Sequence, residues 1–426
     1  MSNRLIGTLQ HNGQNVILTT DQVLHEPSDM TLAEMIDDGE LQSGNGNGAN
    51  PSTPARAVYG ASIDMNNSNP NTSVTYTDQA TGMVKGSPLW DGMALFRDIR
   101  PVLFQNGRVV GYLNPNNYGQ WDAATNAEKG ITGLPATPDI TSGNGGDVMI
   151  EIPKIGWRII TTGNTLTCQI TNDPNLGSQG FRYFAHTRAS EGDRNFLYIG
   201  AYQGHVLSNR LRSLSGRVPT GSMTIGNFRN NAQANGAGYS LGMFFAYTLV
   251  QLLYLIRFGN LNSQGTLGQG VTSGSAPINT GSTNTRGMNW GSQNTRESVK
   301  CMGIEDFWGN MWDRVDGMTI DASWNFLTAF QNFNDTGAGY TNRGNVGGSL
   351  SGFLTRPQGT NEMGFLGRVV GGSDSTHFTD WSNLSSGSSG FFGGSWVNGS
   401  RAGVFRWSWS TWTNAGSNRG GRLMFL

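Results

Sequence analysis

One stretch constrains the fold more than any other: MFFAYTLVQLLYLIRF, Met243 to Phe258, interrupted by only Gln251 and Arg257 among strongly polar residues. At sixteen residues it falls short of the roughly 20 apolar residues that a membrane span needs. It is also apolar on every side, whereas a surface helix shows one apolar stripe. The stretch therefore reads as a helix buried on nearly every side, with no membrane insertion, and the rest of the chain has to wrap it. The wrapping material is unusual. Gly accounts for 62 of 426 residues, and charged residues for only 13%, about half the ordinary share. With 12 Trp, 20 Phe and 11 Tyr there is ample surface to bury, which rules out a disordered chain. Gly and Asn supply turns and positive φ. The expected class is α+β: a loop-rich fold of short strands around one buried helix.

The charge balance, 28 basic against 29 acidic residues, leaves no basic footprint for nucleic acid. Cys168 and Cys301 are too few for a disulfide framework. The five histidines (His11, His25, His186, His205, His377) show no metal spacing. GNGNG, residues 44–48, lacks the flanking strand and helix of a phosphate loop. No cofactor is expected. The one candidate metal set is Asp306, Asp313, Asp316 and Asp321 for a structural calcium, against the plainer reading of solvated turns and caps. The opening residues, MSNRLIGTLQHNGQNVILTT, lack the apolar core of a signal peptide. A polar, Asn/Ser/Thr-rich surface on a protein made in a cytoplasm without export suits release by lysis, as with virus particles.

Residues 1–42 form a first unit, with ILTT as strand material and SDMTLAEMI carrying helix-start chemistry: Ser28 as N-cap, then Thr31 and Glu34. Residues 43–57 read as a Gly/Asn/Pro linker and 58–426 as one large domain. Within it, DVMIEIPKIGWRII suits two strands joined near Pro153 and Gly156, and FRYFAHTRA and RNFLYIGAYQG suit further strands. Asn260 to Ser298 has no periodicity and is expected as a long surface loop. VVGGSD and FFGGSW look like two related strand-and-turn elements, and no helix of any length is expected after about residue 330.

GIEDFWGNMWDRVDGM, Gly303 to Met318, resembles a motif of the formylglycine-generating and sulfatase-modifying family, whose fold is a variant of the C-type lectin fold. Asp306, Gly309, Asn310, Met311 and Trp312 match it, and Asp313-Arg314 replaces its closing Glu-Trp. The family's copper chemistry needs thiols near the C-terminus. No cysteine follows Cys301, so the resemblance implies a reused scaffold and no enzyme.

The end of the chain, GGSWVNGSRAGVFRWSWSTWTNAGSNRGGRLMFL, is similar to the variable proteins of diversity-generating retroelements, including phage tropism determinants. Gly393-Gly394-Ser395-Trp396, Gly399 to Phe405, and Gly420-Gly421-Arg422-Leu423 carry the likeness. YGASID, VMIEIPKIGWRI and LVQLLYLIRFGNLNSQ with GQGVTSG resemble tail-fibre proteins of phages of gut bacteria. The resemblance implies a homotrimeric virion protein on a tail fibre or baseplate, a C-type-lectin-like domain with a variable region at about 393–426, and a host cell-surface protein or glycan as ligand. The first unit would then attach it to other virion proteins. A capsid decoration or head-fibre protein, a virion glycan-active enzyme and a bacterial surface protein are the alternatives.

By motif alignment the variable, receptor-binding positions are Val397, Asn398, Arg401, Arg406, Ser408, Ser410, Thr411, Thr413 and Asn414. All are residues that an AAC codon randomised at its adenines can encode. Trp407, Trp409 and Trp412 cannot arise that way, and alternate in part with the variable positions at the period of a strand. They are either core or exposed aromatic anchors. Trp312, Trp396, Phe405 and Arg422 are expected as framework.

Overall fold

A computed structural model describes residues 57–188 and 191–426 in full, together with the backbone of two strands, Leu5–His11 and Gln14–Thr19. The chain divides into two compact units, Met1–Ala55 and Arg56–Leu426. In the first, the two strands pair as an antiparallel hairpin, and the second of them takes up most of ILTT. The helix start expected at Ser28 and the linker up to residue 56 lie outside the described residues.

The second unit is organised around the helix Phe244–Phe258, every residue of which is buried. It ends where Gly259 turns left-handed (φ 56°) and returns its N–H to Leu255 O at 2.8 Å. The two polar interruptions act as tethers. Gln251 Nε2 donates to Val404 O at 2.8 Å, and the Arg257 guanidinium pairs with Asp91 at 3.0 Å. Among the described residues no helix is long and apolar enough to cross a membrane.

Strands far outnumber helical residues around this core. A seven-stranded antiparallel sheet runs, in spatial order, Tyr239–Leu241, Leu423–Phe425, Phe196–Gly200, Asp147–Pro153, Arg100–Gln105, Arg108–Asn114 and Asn117–Trp121. A second sheet has Trp312–Ile320 at its centre, flanked by Asn325–Thr328 and Thr341–Asn345 on one side and Ser388–Phe392 and Trp407–Ser410 on the other. Arg419–Gly421 joins it parallel to Trp312–Arg314. A four-stranded sheet (74–78, 58–64, 165–171, 156–162) packs against the helix, as does Trp312–Ile320. A three-stranded sheet of Gly367–Val370, Leu350–Pro357 and Trp381–Leu384 lies beside the strand Trp407–Ser410.

Several local expectations change. DVMIEIPKIGWRII does form two strands, but they enter different sheets and do not pair with each other. FRYFAHTRA is not a strand: it is a 3-10 turn at Phe184–His186 followed by the two-residue strand Thr187–Arg188. Asn260 to Ser298 is irregular apart from a short helix at Ser263–Thr266, yet it is not a surface loop throughout. Val271, Thr272, Thr280, Thr283 and Ser298 are buried, and the Glu305 carboxylate gathers the Gly281 and Thr283 N–H groups at 2.6 and 2.8 Å. VVGGSD and FFGGSW each place a strand end before a Gly-Gly pair, in separate sheets.

Candidate functional site

The final 34 residues hang on a framework that begins at Gly393-Gly394. Both glycines have positive φ (86° and 96°), and a Cβ on either would sit 2.8 Å from Phe307 O or 2.9 Å from the Ala402 methyl. The turn is then fixed to the GNMW segment: Trp396 N donates to Asn310 O at 2.9 Å. Trp312, Trp396, Phe405 and Arg422 are all buried. Arg422 is the densest junction. Its Nε pairs with Asp313 Oδ2 at 2.9 Å, Nη1 donates to Gly200 O, and Nη2 to the carbonyls of Glu305 and Asp306. Burial pushes the Asp313 carboxyl above its ordinary range, and Arg422 opposes that push.

From Gly399 onward the main chain is held mostly by groups that precede it. Gln264 Nε2 donates to Gly399 O at 3.0 Å, and Gly399 N donates to Thr272 O at 2.9 Å. Val404 N reaches Ser263 Oγ and Phe405 N reaches Asp380 Oδ2 at 2.7 Å, while Gln251 takes Val404 O. Ser389 Oγ donates to Ser410 O, Arg314 Nη2 to Asn414 O, Ser222 N to Gly416 O and Trp312 N to Asn418 O. None of these bonds depends on the side chain at an expected variable position.

The nine expected variable positions do not share one exposure. Val397 is 59% exposed, and Arg401, Thr411 and Thr413 are exposed. Asn398, Ser408, Ser410 and Asn414 are half-buried. Arg406 is the correction: it is buried, its guanidinium 4.6 Å above the Trp312 ring, so it displays nothing. Burial lowers its pKa to about 9, with Asp380 opposing and Arg401 assisting. Two of the half-buried amides hold local structure. Asn398 Oδ1 accepts from Ser395 N and Oγ, and Asn414 joins Gly416 N, Ser410 Oγ and Arg419. Ser408 Oγ donates to Asn383 Oδ1 at 2.6 Å.

The tryptophans divide. Phe392 pairs with Trp407 and Gly390 with Trp409 across the sheet, which turns both indoles to the core. Trp407 meets Phe244 and Phe392 at 5.1 and 5.0 Å, and Trp409 meets Phe326 edge-on. Trp412 is half-buried against the cluster that contains Ile225 and Phe228.

The acidic set does not converge. Asp306, Asp313 and Asp316 are buried rather than solvated, because each meets an internal donor: Asn310 and Ser298, Arg422, and Arg229. Asp321 caps its own turn through Ser323 and Asn325. Among the described residues no group of three or more His, Cys, Asp or Glu side chains could hold a metal ion.

Sequence reasoning missed Trp381, Phe353 and Asn383. Trp381 is half-buried beside the terminal segment, with Phe353 edge-on at 5.2 Å and the Arg401 guanidinium 4.6 Å over its ring. Its only sequence signal is one Trp set among Ser, Asn and Gly in DWSNLSSGSS, upstream of the recognisable motif.

No protein-family model matches the chain, and no curated protein matches it in sequence. Among solved structures the chain is similar to two proteins described as Major Tropism Determinant, variants U1 and P3c. The U1 variant is 13% identical with a TM-score of 0.28, and the P3c variant 12% identical with a TM-score of 0.26. Each alignment covers 88% of this chain and 73% of the other. Both scores lie below the range in which superposition shows a shared fold.

Proposed function

We propose that this chain is a non-enzymatic virion protein that binds the surface of a host cell through its terminal segment. In this reading the unit from residue 56 is a C-type-lectin-like display domain, residues 393–426 are its diversified region, and the protein sits as a homotrimer on a phage tail fibre or baseplate. Several copies then engage together, so that weak single contacts add to strong attachment. The observation that carries the reading is the anchoring of Gly399 to Asn418: framework groups hold the main chain, while Val397, Arg401, Thr411 and Thr413 remain exposed.

Competition for adsorption tests it. Purified chain added before phage is expected to reduce adsorption to the cognate host in a saturable way. A triple variant, Val397→Asp, Arg401→Asp and Thr411→Asp, is expected to lose that competition at least tenfold while keeping the same thermal midpoint. A folded triple variant that competes as well as the parent sinks the reading.

A further inference from the structure

Past Asp380 the chain contains no Asp, Glu or Lys, yet it carries four arginines: Arg401, Arg406, Arg419 and Arg422. Only Arg422 has a carboxylate partner within ion-pair distance among the described residues, through Asp313. The others form a run of cations and rings. Arg401 lies over Trp381, Arg406 over Trp312, and Arg419 and Arg314 over Phe391 at 5.0 and 4.9 Å. Trp312 and Phe391 meet edge-on at 6.4 Å, which joins the last two sets.

This run is under-neutralised. Nε and Nη1 of both Arg314 and Arg406 are buried with no hydrogen-bond partner among the described residues. Asp380, which opposes the lowering of the Arg406 pKa, also accepts from Phe405 N, and Asp335 pairs with Arg229 at 2.7 Å. Arg314 and Arg406 thus keep buried donors unpaired among the described residues behind this segment. Arg401 is the exposed one of the four arginines. Stacked on an indole, a guanidinium keeps its planar donor fork pointed outward, the geometry that takes a carboxylate or a sulfate in two parallel bonds.

The surroundings decide what carries that anion. Protein interfaces are enriched in aromatic, Met and Arg side chains and depleted in Ser. Here the Arg401–Trp381 pair lies beside Asn383, on the same strand as Trp381, and Ser408, which donates to Asn383 Oδ1, and Val397 is the one large apolar side chain of residues 393–426 that is mostly exposed. Hydroxyls and amides around a half-exposed ring and a cation match a polyhydroxylated ligand.

We propose that the Arg401–Trp381 platform binds an acidic glycan, its anionic group on the Arg401 fork and its sugar ring against Trp381 and Phe353. This rests on the surface-binding reading above and names its ligand class. The anionic group is a carboxylate or a sulfate, and the probes separate the two.

The full chain is titrated at low and at physiological salt with polygalacturonate, dextran sulfate and neutral dextran, each followed by tryptophan fluorescence and by retention on the immobilised polymer. The expected result is saturable binding to one anionic polymer, at least tenfold weaker on neutral dextran and weaker as salt rises. Arg401→Gln is expected to reduce it tenfold or more with an unchanged thermal midpoint. Arg401→Lys, which keeps the charge and loses the fork, is expected to recover only part. Equal binding to neutral dextran, binding to neither anionic polymer, or R401Q behaving as the parent overturns the assignment. If adsorption competition succeeds while R401Q leaves it intact, the host-binding reading stands and the acidic-glycan assignment falls.

Discussion

His186 is fully buried, its Nε2 accepting the Ile155 N–H at 3.3 Å and its Nδ1 without a hydrogen-bond partner among the described residues. Burial pushes its pKa down to about 3, Lys154 adding to the effect and Asp193 opposing it. The imidazole is thus neutral in the fold. In the unfolded chain it takes a proton near pH 6.5, so the unfolded state binds more protons between about pH 6.5 and 3. This contribution is whole above pH 6.5 and is lost as pH falls, by about 1.4 kcal/mol per pH unit at most. The prediction is comparative. Between pH 6 and 4 the stability gap between the parent and His186→Gln, from urea unfolding, should narrow by that slope. A gap constant with pH rules the mechanism out. At this scale little was legible in sequence. His186 reads as one more isolated histidine, and Arg406 is set among the variable positions by motif alignment. Its burial comes from Trp312, a partner 94 positions upstream that no local pattern reveals.

Among elements, the terminal segment and the central helix share one hydrogen bond among the described residues, Gln251 to Val404 O, beside ring contacts such as Trp407 on Phe244, and the segment's course depends on framework bonds together with the Asn398 and Asn414 amides. Stability should therefore divide by position. Exchanging Val397, Arg401, Thr411 or Thr413 for Ala, Ser or Asn is expected to change unfolding free energy by under about 0.5 kcal/mol each, as at ordinary surface sites. Gln251→Leu leaves Val404 O unpaired in the core and is expected to cost about 1–3 kcal/mol. Asn414→Ala, which removes a local cap, falls between the two. Thermal melts of the six single variants check this order, and a Thr411 or Thr413 change costing as much as Gln251→Leu refutes it. The helix itself was plain in the sequence, because no other arrangement satisfies an all-round apolar stretch of that length. The alternation of Trp407 and Trp409 with serines was plain too. Which face is core was not, since only the register with Ser388–Phe392 assigns it.

Over the whole molecule, residues far apart in sequence close the same sheets. Leu423–Phe425 is inserted between Phe196–Gly200 and Tyr239–Leu241, and Arg419–Gly421 lies parallel to Trp312–Arg314. Such pairings leave no periodic trace, which is why sheet membership was invisible while many of the strands were not. They also bind the large unit into one body despite a length that ordinarily suggests two or three domains. Arg422 ties the sheets directly, holding Asp313 on one and Gly200 O on the other. Arg56–Leu426 should consequently unfold in a single step. All 12 tryptophans lie in this unit, so their fluorescence reports it alone. Fluorescence and calorimetry should give one coincident transition whose calorimetric and van't Hoff enthalpies agree. Arg422→Met strands the buried Asp313 carboxylate and should lower that transition by about 3–5 kcal/mol without splitting it. Two resolved tryptophan transitions in the parent would show that the sheets are separable, and two in the variant alone would show that Arg422 is all that holds them together.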